Sequence, residues 1–158
     1  MENNIVNELY DNDSLKVMRL ADEARLPGKN RMEEIRNYTK VSGIKRIGIA
    51  HCVAVQKEAN VLKEFLASSG LEVHAIDCKC GKIPNSEILG REAAGFSCNP
   101  AGQAKFLSEN DTELNISMGL CVGHDMVFNQ KSHALVTTFI VKDRQFKHNP
   151  VEVFRNKD

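Results

Sequence analysis

The stretch "GLCVGHD", residues 119–125, sets a thiol, an imidazole and a carboxylate close together at the end of an apolar run. Cys121 and His124 are three residues apart at a strand-to-helix turn, so both can reach one ion. Cysteine with histidine at such spacing suits zinc or another borderline-soft metal. Cys52 and Cys78 also follow apolar runs, and Cys98 lies in "SCNP" just ahead of Asn99 and Pro100. That pair reads as an N-cap and a first helical residue, so helix N–H groups and the dipole favour an anionic sulfur at Cys98. His148 in "KHNP" stands in the same relation to Asn149 and Pro150. Lys142, Asp143 and Arg144 follow the last apolar run, where they are placed to bind an anion.

Each of these residues also has a plainer reading. A single cysteine at a strand end is a small apolar residue, and Asp125 is most simply the N-cap of a short helix. His51 and His74 lie inside strands and read as packed or surface residues, while His133 has no evident partner. Four thiols at strand ends or helix entries, taken together, point to a site. The chain has no CxxC pair, so neither a zinc ribbon nor a thioredoxin-type motif applies. Cys78 and Cys80 would point to opposite faces of an extended segment, so both serve one site only in a turn. GxGxxG, P-loop and GxSxG motifs are absent, and no cysteine has an arginine six residues on.

The elements that must position these groups are legible from periodicity. Residues 5–24 are helix-like, with a potential break from Asp11 to Ser14. Met32, Ile35, Thr39 and Ser42 step along a second helix that Gly43 ends. Residues 46–51, 71–77, 113–120 and 134–141 read as strands. Val55, Ala59, Leu62 and Leu66 mark a helix between the first two, and residues 80–98 read as a loop. A helix from Asn99 carries Ala104 and Leu107, a short one follows Asp125, and another follows Asn149. Strands alternating with helices predict a three-layer α/β fold with a mostly parallel four-stranded sheet, flavodoxin- or Rossmann-like, plus two extra N-terminal helices. By analogy with flavodoxin-like folds the strand order is 2-1-3-4. The expected organisation is one domain over 1–158, with 1–43 as a helical appendage and 44–158 as the βαβ core. Cys52, Cys78, Cys121 and residues 142–144 would then share the carboxyl edge, where ligands of open parallel sheets bind.

Composition limits the function classes. The 158 residues include 42% aliphatic, aromatic and cysteine residues, which suits a globular core. Lys plus Arg number 21 and Asp plus Glu 21, so no global charge draws the chain to nucleic acid or to a membrane surface. No apolar run approaches the roughly 20 residues that span a bilayer. The polar, acidic opening "MENNIVNELYDNDSLK" is unlike a signal peptide, and the expected location is cytoplasmic. In that reducing setting five thiols are more readily buried, metal-bound or reactive than paired in structural disulfides.

The stretches "RMEEI", "KRIGIAHC", "CNPAGQAKFL", "LNISMGLCVGHDMVF" and "VTTFIVKDRQFKHNP" resemble the domain-of-unknown-function family 1847, prokaryotic proteins described as predicted metal-binding. The resemblance runs from about Arg31 to Phe154. It implies family cysteines at Cys52, Cys78, Cys98 and Cys121, with Cys80 an addition. It also implies a cysteine-rich opening segment that this sequence does not contain.

Three functions follow as expectations. The first is a metal ion, zinc or iron, or an iron–sulfur cluster, bound at the carboxyl edge by Cys52, Cys78, Cys98 and Cys121, with His124 able to replace one thiolate. If three protein ligands bind, an open position allows Lewis-acid chemistry with Asp125 or His148 moving protons. The second is a metal-free enzyme or redox protein using Cys98 or Cys121, with Lys142 and Arg144 holding a small anionic substrate. The third is a non-catalytic sensor or interaction protein.

Overall fold

Apolar periodicity changes character near residue 44, and so does the structure. The computed structural model describes residues 2–155, with side chains from residue 5 onward. The chain forms two compact units, Met1–Ile44 and Lys45–Asp158. In the first, α1 (Glu2–Leu9), α2 (Asn12–Ala24) and α3 (Arg31–Ser42) follow one another. The N-terminal unit therefore has three helices, not two. The break comes where Asp11 takes extended geometry and its carboxylate accepts the Ser14 N–H at 2.8 Å, starting a new helix. A capping box between Asn30 and Glu33 opens α3, and Gly43, at φ 75°, closes it. The Asn37 amide donates to the Ala24 carbonyl at 2.9 Å and joins α3 to the end of α2.

The second unit is built on β1 (Arg46–His51), β2 (Glu72–Asp77), β3 (Leu114–Met118) and β4 (Leu135–Ile140). All pairings are parallel, in the order β2-β1-β3-β4. Both faces of the central strands are covered, so β1 and β3 are buried almost throughout; β1 reads as an apolar run, while β3 alternates Leu114, Ile116 and Met118 with the buried polar Asn115 and Ser117. A 3₁₀ turn at Val53–Val55 leads from β1 into α4 (Gln56–Ala67), which buries Ala59, Leu62 and Leu66. Residues 80–98, expected as loop, contain a 3₁₀ turn and the short α5 (Asn85–Leu89). Then come α6 (Pro100–Glu109), α7 (His124–Lys131) and α8 (Glu152–Arg155).

From β2 the chain passes through α6 and returns beyond β1 to enter β3. With right-handed crossovers this puts α4 on one face and α6 with α7 on the other. The connections leaving β1 and β3 run in opposite directions across the sheet, so the crevice favoured for ligands lies past the ends of those two strands. Cys52 and Cys121 lie just there. Among the described residues, no helix is long and apolar enough to cross a membrane.

Candidate thiol centre

Cys52 leaves β1 with its N–H still on the sheet, donating to the Met118 carbonyl at 3.0 Å. Its own carbonyl accepts the Val55 N–H at 3.0 Å and lies 3.1 Å from His51 Nδ1. That contact and its 2% exposure make His51 a packed strand residue. His74 meets Glu72 at 2.7 Å on the sheet surface.

Cys78 follows β2 and is 2% exposed. Its carbonyl accepts the Asn99 N–H at 2.7 Å, and the Asn99 amide donates to the Cys80 carbonyl at 3.2 Å. Asn99 Oδ1 meanwhile caps α6 by accepting the Gly102 N–H at 2.8 Å. A Cβ on Gly102 would overlap that amide, so a side chain there would have to displace Asn99 from this arrangement. Through these bonds one residue, by its backbone N–H and its side chain, fastens the 78–80 turn to the start of α6. The Cys78 and Cys98 sulfurs consequently stand 3.6 Å apart. Cys80 lies on another path, its thiol 3.6 Å from the Asn99 carbonyl oxygen.

Asn99→Ala is expected to cost about 1 kcal/mol of unfolding free energy, the usual value of an N-cap. It should also change the alkylation rate of Cys98. Urea melts and peptide-resolved alkylation check this, and loss of stability with an unchanged Cys98 rate would separate the cap from the thiol.

Cys121 is placed by glycines. Gly119 has φ 63° and Gly123 φ 89°, conformations that other residues rarely adopt. The Cys121 carbonyl accepts the N–H groups of His124, at 2.9 Å, and Asp125, at 3.0 Å. His124 is thus the half-buried first residue of α7. Asp125 is not the N-cap expected from sequence, because Gly123 occupies that position. From inside the first turn its carboxylate accepts the Gly123 N–H at 3.1 Å and the Met126 N–H at 2.8 Å.

The segment after β4 brings two cations to this edge. Lys142 Nζ lies 3.3 Å from Cys52 Sγ, and Arg144 Nη2 lies 3.2 Å from Cys121 Sγ. Asp143 and His148 hold the segment in shape. The Asp143 carboxylate accepts the Gln145 and Phe146 N–H groups at 2.9 and 2.8 Å. Its N–H donates to His148 Nδ1 at 3.2 Å, and the His148 N–H donates to its carbonyl at 2.9 Å. His148, at φ 66°, does not stand at a helix entry as "KHNP" suggested, since α8 starts only at Glu152. A cavity of about 360 Å³ lies beside it, lined by Val55, Glu58, Phe139, Ile140, Lys147 and Pro150 among others.

These surroundings set the thiols apart from one another. Burial pushes the Cys52 thiol up. The Ala54 N–H, the Lys142 ammonium and the Cys78 thiol outweigh it, and the net result lies below the ordinary value. Burial pushes Cys78 up as well, the neighbouring Cys98 and Cys52 sulfurs push further, and the thiol reaches about 12. Burial and then the Asp77 charge raise Cys80. Cys52 is therefore readied to carry charge, while Cys78 keeps its proton between two sulfurs.

Gln103 went unremarked at the sequence level. It is completely buried, and its amide donates to the His51 carbonyl at 3.1 Å and to the Ile76 carbonyl at 3.0 Å, tying together the ends of β1 and β2. The available signal was its position one turn after Asn99 and one turn before Leu107, on the face of α6 that also carries Ala104.

A donor set made of cysteine sulfurs is of the kind zinc or iron takes. The Cys78–Cys98 separation also fits, because a tetrahedron with bonds of about 2.3 Å has edges of about 3.8 Å. Among the described residues, no three Cys, His, Asp or Glu side chains form a ready metal cage.

Comparison with known proteins places these residues in a lineage. A model of the family described as "Protein of unknown function (DUF1847)" matches residues 2–139. The match includes all five cysteines and stops short of Lys142 and Arg144. An uncharacterised protein of Methanocaldococcus jannaschii, MJ0455, is 38% identical over 152 residues, covering 92% of this chain and 78% of that relative.

Proposed function

The chain belongs to the DUF1847 family, whose function is unknown, and from that premise we propose that it binds a thiophilic metal ion at the carboxyl edge of its sheet. Cys52, Cys78, Cys98 and Cys121 would hold the ion, with His124 able to take one position. The observation that carries this reading is the pairing of the outer thiols with cations: Lys142 on Cys52 and Arg144 on Cys121. Four thiolates around a divalent ion carry two net negative charges, and those two side chains supply two positive ones. Such contacts to coordinated sulfur belong to the outer shell that tunes metal sites. Bound zinc would supply Lewis acidity. The protein's part is to gather the sulfurs, neutralise them, and give up the Cys78 proton.

The test is metal analysis of protein purified without oxygen, followed by zinc titration of the stripped chain. The expected result is about one zinc or iron per chain, together with proton release on binding, because ligating thiols must deprotonate. Affinity should therefore fall steeply as pH falls. Protein that carries no metal and shows no saturable zinc binding would overturn the reading.

The contrast between Cys52 and Cys78 supports a second reading, in which Cys52 is the reactive thiolate of a metal-free enzyme. Peptide-resolved alkylation of the stripped chain tests it. Cys52 reacting no faster than the other four thiols would end it.

A further inference from the structure

We propose that Cys78 and Cys98 form a dithiol–disulfide couple that exchanges with low-molecular-weight disulfides. Their sulfurs are 3.6 Å apart, so a bond of about 2.05 Å requires them to close by about 1.5 Å. The backbones already run side by side, because the Asn99 N–H is bonded to the Cys78 carbonyl at 2.7 Å. Cys80 meets the Asn99 carbonyl and Cys121 holds Arg144, while Cys52, the other sulfur beside Cys78, is also held by Lys142.

Exposure assigns the two roles. Cys98 is half-buried and Cys78 only 2% exposed, so a dissolved disulfide meets Cys98 first. The Cys98 sulfur attacks one sulfur of the reagent, the reagent's S–S bond breaks, and a mixed disulfide forms as the first small thiol leaves with the Cys98 proton. The Cys78 sulfur then attacks the Cys98 sulfur and displaces the second small thiol, which leaves with the Cys78 proton. The protein pair has lost two electrons, and the reagent, now two thiols, has gained them. No other oxidant takes part.

This couple belongs to the metal-free protein and does not depend on the metal reading. Its test is run on the whole chain in chelator, so either idea can fail alone. The chain is equilibrated in buffers from fully reduced to fully oxidised glutathione, quenched in acid, alkylated, digested and analysed by mass spectrometry. On the oxidised side it should lose two of its five alkylatable thiols, with the Cys78 and Cys98 peptides joined. Cys80→Ser should behave as wild type. Cys78→Ala should stall with glutathione on Cys98. If Cys78→Ala fails to fold, the wild-type linkage map alone decides. Three results overturn the proposal: both thiols free in every buffer, a bridge that uses Cys52 or Cys80, or glutathione left on Cys98 of the wild type.

Discussion

Lys142→Ala should slow alkylation of Cys52 on the order of tenfold at pH 7 and weaken zinc binding about 10–100-fold. The Lys142 ammonium lies 3.3 Å from the sulfur of Cys52, a residue only 9% exposed. Burial alone would keep Cys52 protonated. The Ala54 N–H, the Lys142 ammonium and the Cys78 thiol reverse that, and of these Lys142 alone brings a full positive charge. Without it the thiol's pKa rises, so the reactive thiolate fraction falls at neutral pH. Above the ordinary thiol range both proteins are ionised and their rates converge. That crossing distinguishes loss of charge from loss of access, which would slow the reaction at every pH. Lys142→Arg should recover most of the rate, since it restores a cation. Rates measured by peptide-resolved alkylation from pH 5 to 10 decide the matter. An unchanged pH profile in Lys142→Ala would remove the electrostatic role of this residue and the main support for a charge-neutralised metal site.

The second large effect is structural. Gly48→Ala should destabilise the protein by about 3 kcal/mol, from overpacking of roughly 1–3 kcal/mol plus damage to buried hydrogen bonds. Gly48 lies in the middle of β1, in register with Asn115 on β3. A Cβ there would come within 2.8 Å of Leu107 and would overlap the Asn115 amide oxygen. Asn115 has little freedom to move. Its oxygen accepts from the Thr112 hydroxyl at 2.8 Å, and its amide donates to Ser132 Oγ at 2.8 Å. One methyl group thus presses on α6 and on the network that joins β3 to the end of α7. The same displacement would shift the N-terminus of α6 and with it Cys98, so the 78–98 couple should also respond. A urea melt checks the stability; a loss under about 0.5 kcal/mol would show that α6 yields freely to this face of the sheet.

Much of the fold was legible in the sequence because local patterns carry it. The run "RIGIAH" is β1 residue for residue, since its apolar centre, Ile47 to Ala50, is what a strand covered on both faces favours. Asn99 with Pro100 marked the start of α6, and Gly43 the end of α3, because those positions have backbone requirements that few residues meet. Parallel pairing followed from alternating strands and helices, whereas the β2-β1-β3-β4 order rested on analogy with flavodoxin-like folds. The same pattern put Cys52, Cys78 and Cys121 on one edge.

Only tertiary structure decided what each polar group does there. Asp143 and His148 stood out by type as ligand-binding and proton-carrying candidates, and the structure adds the hydrogen bonds by which they shape the segment between them. Asp125 looked like a cap, yet its carboxylate bonds from within the helix. Lys142 and Arg144 proved to reach sulfur at opposite ends of a chain separation that no local rule spans. Gln103 passed unnoticed because a glutamine on a helix is ordinarily a surface residue, and only the joined ends of β1 and β2 reveal its two acceptors. Periodicity and capping depend on neighbours a few residues apart, so sequence reports them. Which donor meets which acceptor across 20 to 90 residues is settled by crossover geometry and side-chain rotamers, and these exist only in the folded chain.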